Sequence, residues 1–325
     1  MEKHLVPLAI LQILRQHSDQ SHKLTQDQVL AYLSEEYGIQ VERRSVSRQV
    51  DSLIAAGIDI VKAGRGVYLA GNLFDFDDSE LKVLMDAVVS SSYIPAEMAT
   101  DLIGKLRNLS GDFFPEDNLP VVETSGRSKN KVLFLNVELI QEAIRKKRKI
   151  AFDYYRLAPS MELELKDHLQ VSPYMTIVKN QRYYLLCHHE GREDIAFLRL
   201  DLIKNVEILG KHALPITSAA SYLKAPPTQK DLAVRYPYLF SGPCSPMTLR
   251  VKKDSLYTVV DWFGDSIVCR ELPGTDLVEV SLTANLNAMV YWCLQYSDGV
   301  ELVSPPKARE LIRNKLEHAL KMYEG

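Results

Sequence analysis

The part of the sequence that most constrains the fold is residues 171–206, which read as three short antiparallel strands. The first two are separated by Lys179-Asn180, a gap of hairpin length in which Asn tolerates positive φ. Because side chains alternate along a strand, one face of the middle strand is expected to carry Tyr183, Leu185 and Cys187. The opposite face is expected to carry Arg182, Tyr184, Leu186 and His188.

We interpret the first of these two faces as core. The second face combines guanidinium, phenol and imidazole groups, which suit an anionic or nucleotide-like ligand better than a second core. The alternative interpretation is an ordinary amphipathic strand with a solvated outer face.

Length and composition limit the class of protein. A chain of 325 residues suggests two or three domains. No apolar run approaches the roughly 18 residues of a membrane span, and the first residues lack a basic segment followed by a cleavage site, so a cytoplasmic protein without membrane contact is expected. The four cysteines lie far apart without a CxxC pair, which argues against a zinc site and against disulfides, and we expect neither a metal nor a cofactor. A net charge of −3 still allows a local basic element.

Residues 1–72 are predicted to form a winged helix-turn-helix. After a first helix, Thr25 is expected to cap a second helix that stops at Gly38. A third helix is expected over 43–56, followed by a short hairpin over 58–69. The buried stripe of the third helix is predicted to be Val46, Val50, Leu53 and Ile54.

The N-terminal turns of this third helix suggest contact with DNA. A helix that begins with Arg, Ser and Gln can enter the major groove, and a glycine-flexible hairpin tip can reach phosphate. The alternative is a winged helix used for protein contacts, with solvated arginines. The predicted DNA-binding residues are Arg43, Arg44, Ser45, Ser47, Arg48, Gln49, Lys62 and Arg65. The stretch VERRSVSRQVDSLIAAGIDIVKAGRGVYL resembles the DNA-binding half of DeoR-like bacterial regulators.

Two segments are predicted to connect domains. Residues 73–131 read as a helical connector, with two amphipathic helices followed by a linker over 113–130. These helices could form a dimer seam or packing struts, and the sequence leaves both possibilities open. Residues 213–244, with Ala225-Pro226-Pro227, read as a second linker.

Residues 132–212 are predicted to form a small β-barrel of Sm or SH3 type, with a helix, about five antiparallel strands and an acidic loop near 162–167. The segments KIAFDYY, VSPYMTIVKNQRYYLL and FLRLDLIKNVEIL resemble the WYL domain of bacterial transcriptional regulators. Tyr183 stands where that family has its name-giving Trp, and Leu202 replaces a basic residue. The positions that match the family directly are Tyr184, Leu185, Arg199 and Asp201.

This resemblance implies a sensor domain for nucleotides or nucleic-acid fragments. A tyrosine of the strand could stack on a base, and an arginine could bind a phosphate through two hydrogen bonds. The predicted ligand-binding residues are Tyr174, Arg182, Tyr183, Tyr184, His188 and Arg199.

Residues 245–325 are predicted to form a ferredoxin-like α+β domain, because the expected order is strand–helix–strand–strand–helix–strand. The segment resembles the C-terminal extension, of WCX type, that follows the sensor in WYL regulators. Trp262 and Trp292 are expected in the core.

The sequence as a whole therefore predicts an α+β multidomain chain that acts as a ligand-responsive transcriptional regulator. We expect a homodimer that binds double-stranded operator DNA and a nucleotide or oligonucleotide effector. No phosphate loop, nucleophile elbow or HExxH motif is present, so an enzyme is not expected. The alternative is an Sm-like adaptor for single-stranded nucleic acid, which leaves the winged helix unexplained.

Overall fold

The structure is a computed structural model that describes residues 5–70, 76–109 and 119–324. It divides into an N-terminal unit, Met1–Lys129, and a C-terminal unit, Asn130–Gly325. Both units combine helices with β-sheet, so the predicted mixed α+β architecture is confirmed. The predicted boundary at 72–73 and residues 113–118 of the first expected linker lie outside the described residues.

The N-terminal unit begins with three helices and a small sheet. The helices are α1 (Val6–His17), α2 (Gln26–Tyr37) and α3 (Arg43–Ala55). The strands, in the sheet order β1-β3-β2, are β1 (Leu24–Thr25), β2 (Ile60–Ala63) and β3 (Gly66–Leu69).

Local sequence signals explain where these helices begin and end. The Thr25 side chain accepts a hydrogen bond from the backbone N–H of Gln28, and the Gln28 side chain accepts one from the backbone N–H of Thr25. These two hydrogen bonds form a capping box at the start of α2. Helix α2 ends at Gly38, whose φ of +65° favours glycine. The core joins α1 to Val46 and Val50 of α3, whereas Ile54 of the predicted buried stripe is exposed.

The connector contains α4 (Asp78–Ser90) and α5 (Ala96–Arg107). Leu81 and Met85 of α4 pack with Ile103 of α5 in a small separate core, as their helical spacing predicts. The two helices are therefore packed against each other within the N-terminal unit.

The described end of the connector folds back onto α4 through one side chain. The half-buried Arg127 guanidinium donates hydrogen bonds to the carbonyl oxygens of Ser91 (3.2 Å), Ile94 (3.0 Å) and Glu123 (2.7 Å), and also to that of Val89. These carbonyls include groups that the end of a helix leaves without helical partners.

Loss of this guanidinium is expected to destabilise the N-terminal unit. Arg127→Met removes charge-assisted hydrogen bonds from several carbonyls at once, and we expect the free energy of unfolding to fall by about 2 kcal/mol. Urea unfolding followed by circular dichroism measures the change. The control is Lys105→Met, which removes an exposed cation paired with Asp101 and should cost about 0.5 kcal/mol or less. Equal losses in the two variants would contradict this role of Arg127.

The C-terminal unit opens with α6 (Leu133–Lys146) and a five-stranded antiparallel sheet in the order β7-β6-β5-β4-β8. The strands are β4 (Arg148–Leu157), β5 (Leu163–Lys179), β6 (Arg182–His189), β7 (Ile195–Arg199) and β8 (Ile203–His212). Within the described residues β7 pairs only with β6 and β8 only with β4, so the predicted closed Sm-like barrel is not confirmed.

The predicted acidic loop is the clearest local difference from expectation. Glu164 and Asp167 lie within β5, which runs for 17 residues and pairs with β4 from Ile150 to Leu157. Glu164 faces Arg156 across this ladder and forms an ion pair with it. Cross-strand pairing stabilises a strand that the polar sequence alone does not predict.

The hairpin between β5 and β6 is present, one residue later than predicted. Asn180 and Gln181 form the two-residue loop with φ of +48° and +55°, and Lys179 pairs with Arg182 as the last residues of the ladder. Two successive positive φ values are typical of the turn that matches strand twist in tight hairpins.

Both faces of the sheet are covered around β6. Helix α6 packs against β4, β5 and β8, and its Gln141 donates a hydrogen bond of 2.7 Å to Thr176. Residues 213–244, expected to be a linker, instead form α7 (Ile216–Ala219) and α8 (Gln229–Arg235). We call this stretch the cover segment, because its Ile216, Leu232 and Tyr236 pack on the opposite face.

The burial of β6 shows the consequence of this cover. Its consecutive residues Leu185, Leu186 and Cys187 are all fully buried, although alternation places them on opposite faces. The interpretation of one core face and one solvated face is therefore wrong for the middle of β6.

The rest of the C-terminal unit is a four-stranded antiparallel sheet with helices. The strands, in the order β10-β11-β9-β12, are β9 (Cys244–Lys252), β10 (Val268–Glu271), β11 (Leu277–Asn285) and β12 (Val300–Ser304). The helices are α9 (Leu256–Phe263), α10 (Leu286–Gln295) and α11 (Pro306–Tyr323). The predicted order of elements is observed, with Trp292 fully buried and Trp262 packed partly against the same core. No helix in the described part of the chain is long and apolar enough to cross a membrane.

Candidate nucleic-acid interface and ligand site

Helix α3 presents two exposed arginines to solvent. Arg44 and Arg48 lie one helical turn apart, and neither side chain has a hydrogen-bond or ion-pair partner among the described residues. Val46 and Val50 occupy the buried face of the same helix. The arrangement leaves two adjacent cations available for an external anion.

Other predicted DNA-binding residues already have partners within the unit. Arg43 donates to the Gln26 side chain at 2.7 Å and lies 3.6 Å from Asp27, so it ties α3 to α2. Ser47 accepts a hydrogen bond of 3.2 Å from Gln26, and Ser45 and Gln49 are partly buried.

The hairpin of the predicted wing contributes one exposed cation. Arg65 follows Gly64 in the turn between β2 and β3, where Gly64 has φ of +65°. Lys62 lies within β2 rather than at the tip, and it pairs with Asp51 of α3. The freely presented basic residues of this surface are therefore Arg44, Arg48 and Arg65.

The second site lies where β7 ends beside β6. Arg199 donates two hydrogen bonds to the Asp201 carboxylate, at 3.0 Å from Nε and 2.6 Å from Nη2. Arg182 of β6 lies 3.8 Å from the same carboxylate. We call these three residues the arginine–aspartate cluster. Its two cations exceed its one carboxylate by a single positive charge.

Exposure within the cluster is unequal. The Asp201 side chain is 4% exposed, whereas those of Arg182 and Arg199 are 27% and 36% exposed. The hydrogen bonds to Asp201 raise the pKa of the Arg199 guanidinium. A buried carboxylate therefore fixes two guanidinium groups that still reach solvent, an arrangement suited to binding an anion.

The turn that carries Asp201 is held by two asparagines that the sequence analysis did not single out. The Asn130 amide donates to the backbone oxygens of Asp201 (3.3 Å) and Ile203 (2.7 Å), and Asn136 of α6 donates to that of Ile203 at 2.6 Å. Both asparagines are buried. The signal in the sequence was Asn136, which shares one helical stripe with Leu133, Ile140 and Ala143, because a polar group on a buried stripe needs an internal partner.

The two adjacent tyrosines of β6 have different surroundings. Tyr184 is directly opposite Arg199 in the ladder, so both side chains share one face. Burial raises the pKa of Tyr184, although Arg199 and Arg182 act in the opposite direction. Tyr183 lies on the other face, where its hydroxyl is 3.2 Å from that of Thr176. The structure therefore brings Tyr184, and not Tyr183, to the arginine–aspartate cluster.

The remaining predicted ligand residues lie elsewhere in the sheet. His188 is buried, and its Nε2 is 2.7 Å from the backbone oxygen of Arg192, which fixes the loop after β6. Tyr174 is half-buried beside the cover segment, and burial raises its pKa. Tyr154 of β4 was not predicted, yet Arg199 and Asp201 lie close enough to influence its pKa, which burial raises.

No group of His, Cys, Asp and Glu side chains among the described residues could hold a metal ion. The fully buried Cys187 has a raised pKa because burial disfavours its thiolate. The site is therefore one of cations and aromatic rings.

Comparison with known proteins identifies one domain. Residues 136–208 match the WYL domain, so the five-stranded sheet with α6 is a WYL domain. No curated protein matches the chain.

Two solved structures show likeness over nearly the whole chain. Proteasome accessory factor B/C (PafBC) of Arthrobacter aurescens is 16% identical, with 98% of this chain and 49% of that chain covered and a TM-score of 0.28. A CRISPR Cas-related protein is 12% identical, with 99% and 84% covered and a TM-score of 0.39. This chain spans about half the length of the PafBC chain.

Proposed function

We propose that the protein is a transcription regulator that binds operator DNA through α3 and the β2–β3 hairpin and senses an anionic nucleotide or nucleic-acid fragment with its WYL domain. The observation that carries the proposal is the arginine–aspartate cluster beside Tyr184, within the matched residues 136–208. The proposed role is one of binding rather than catalysis.

The DNA-binding part of the proposal follows from three helices, a hairpin and their exposed charges. We assign this region to the winged helix-turn-helix class, in which a helix enters the major groove and a hairpin contacts the backbone. Arg44 and Arg48 supply two donors on one exposed face of α3. Arg65 at the hairpin turn is placed to contact phosphate.

The ligand class follows from the chemistry of the cluster. Two partly exposed guanidinium groups favour phosphate, which they can bind through paired hydrogen bonds. The neighbouring Tyr184 adds an aromatic ring on which a base can stack. A phosphate beside a planar base is the combination that nucleotides and short single strands share.

The proposal includes a homodimer and a ferredoxin-like C-terminal domain. The strand order β10-β11-β9-β12, with α9 and α10 in the two crossovers, supports the ferredoxin-like assignment. A symmetric dimer would match a two-fold operator with half-sites one or two helical turns apart. An effector that binds the two DNA-binding arrangements unequally would shift the population between them.

Loss of Arg199 is expected to weaken effector binding strongly and leave DNA binding in place. Arg199→Gln removes one of the two cations of the cluster, together with the guanidinium donors that Asp201 does not engage, so we expect at least about a 30-fold loss of affinity for a 5′-phosphorylated oligothymidylate. Tyr184→Ala should lose about 10-fold, the effect of one stacking contact. Fluorescence anisotropy of a labelled oligonucleotide measures both changes.

The matched control is Tyr183→Ala, which removes the neighbouring tyrosine from the opposite face of the same strand. It should bind the oligonucleotide within about threefold of the parent chain. Equal losses for the Tyr183 and Tyr184 variants, with native circular dichroism, would refute the proposed site.

A further inference from the structure

The end of the β5–β6 hairpin places two cations opposite each other. Lys179 and Arg182 are the last paired residues of the ladder, so their side chains project from the same face. Like charges in directly opposed positions destabilise a hairpin unless other groups compensate them. The stability of this end of the hairpin therefore depends on the groups that Lys179 and Arg182 contact outside the hairpin.

The two cations point to different parts of the C-terminal unit. Arg182 lies 3.8 Å from Asp201 in the arginine–aspartate cluster. The Lys179 ammonium lies over the indole of Trp262 in α9, 5.5 Å from the ring centroid, which is within cation–π range. Burial lowers the pKa of Lys179, so an additional nearby anion would favour its charged form.

Trp262 connects this contact to the core of the four-stranded sheet. Its Nε1 donates a hydrogen bond of 3.0 Å to the Tyr296 hydroxyl, and its ring lies 5.4 Å from that of Tyr238. Tyr296 in turn packs on the fully buried Trp292, with ring centroids 5.0 Å apart. A displacement of the Trp262 ring would therefore reach the interior of the C-terminal domain through packed aromatic contacts.

We propose that Lys179 transmits occupancy of the arginine–aspartate cluster to the C-terminal domain, because an anion bound at Arg182 and Arg199 draws the Lys179 ammonium away from Trp262. A charge-assisted contact with phosphate is stronger than a cation–π contact, and the flexible lysine stem allows the exchange. This inference rests on the proposed anionic effector. The inference adds the route by which the C-terminal domain responds to the bound effector.

The indole supplies a direct readout of this exchange. The chain has two tryptophans, so Trp292→Phe leaves Trp262 as the single emitter. In this full-length variant, a short 5′-phosphorylated oligothymidylate should change the Trp262 emission as it saturates the site. Lys179→Gln in the same background should remove that emission change. Its affinity for the oligonucleotide should fall by less than about tenfold, because Arg182 and Arg199 remain.

Two further variants separate the role of the Lys179 charge from effector binding itself. Lys179→Arg keeps a cation and should retain the emission change, whereas Arg199→Gln should lose both binding and emission change. If Trp292→Phe fails to fold, the emission of Trp262 is obtained instead as the difference between the parent chain and Trp262→Phe.

The possible results distinguish the two proposals. A full emission change in the Lys179→Gln variant, or oligonucleotide binding without any change at Trp262, overturns the transmission route alone. Absence of oligonucleotide binding in the parent chain overturns the proposed effector, and the transmission route with it.

Discussion

The double variant Arg44→Ala with Arg48→Ala is expected to lose specific DNA binding, with affinity lower by at least about 100-fold. Both side chains lie on the exposed face of α3 without partners among the described residues, so their replacement removes contacts with DNA and no contact within the fold. The test is binding to the DNA upstream of the protein's own gene and its neighbours. Titrations at several salt concentrations also show whether the lost contacts were phosphate contacts, since each lowers the salt slope by about one.

A matched control keeps the change in net charge the same. Arg145→Ala with Arg313→Ala also removes two exposed arginines, from α6 and α11. We expect this control to bind DNA within about threefold of the parent chain, because long-range charge effects are screened at physiological salt. Undiminished specific binding by the Arg44/Arg48 variant would refute the assignment of α3 as the recognition helix.

Removal of the Asp201 carboxylate is expected to destabilise the WYL domain by about 3 kcal/mol. The carboxylate is buried and accepts both hydrogen bonds from Arg199, and Arg182 also lies beside it. Asp201→Ala leaves two neighbouring guanidinium groups without their shared anion, and breaking a buried pair costs about 3–5 kcal/mol. We place the loss at the lower end because the two arginines are partly exposed. Urea unfolding of the full chain measures it.

The control for this prediction is another aspartate of the same sheet. Asp167 lies on β5 with an exposed side chain, and Asp167→Ala should change the free energy of unfolding by no more than about 0.5 kcal/mol. If Asp201→Ala were as stable as this control, the cluster would not be held by its carboxylate, and the proposed anion site would lose its structural basis.

Local signals in the sequence were sufficient for much of the fold. The capping residue Thr25 and the glycine at position 38 predict a helix whose observed ends agree with them, and the order of strands and helices predicted for residues 245–325 is also observed. The hairpin at Asn180 was also predictable, because tight turns depend on a few residues at fixed positions. Such features depend on neighbours three or four residues apart.

Contacts between distant segments were not predictable in this way. The cover segment resembles a linker because of its prolines and short apolar runs, yet Leu232 and Tyr236 pack on the sheet about fifty residues earlier in the chain. This burial makes both faces of β6 apolar at Leu185 and Leu186. Alternation along one strand states which residues share a face, and a neighbouring element decides whether that face meets solvent.

In the candidate site, too, local features were predictable from the sequence and contacts between distant segments were not. The sequence by itself placed Tyr184, Arg199 and Asp201 in a segment that resembles the WYL domain. It also determined that Tyr183 and Tyr184 lie on opposite faces, because the alternation of side chains along a strand is a local property. Only the tertiary structure decided which tyrosine meets the arginines, that Asp201 is buried beneath both of them, and that Lys179 lies on Trp262. The physical reason is that burial and ion pairing depend on side chains brought together from separate strands and helices, and their distances are fixed only when the sheets and helices pack.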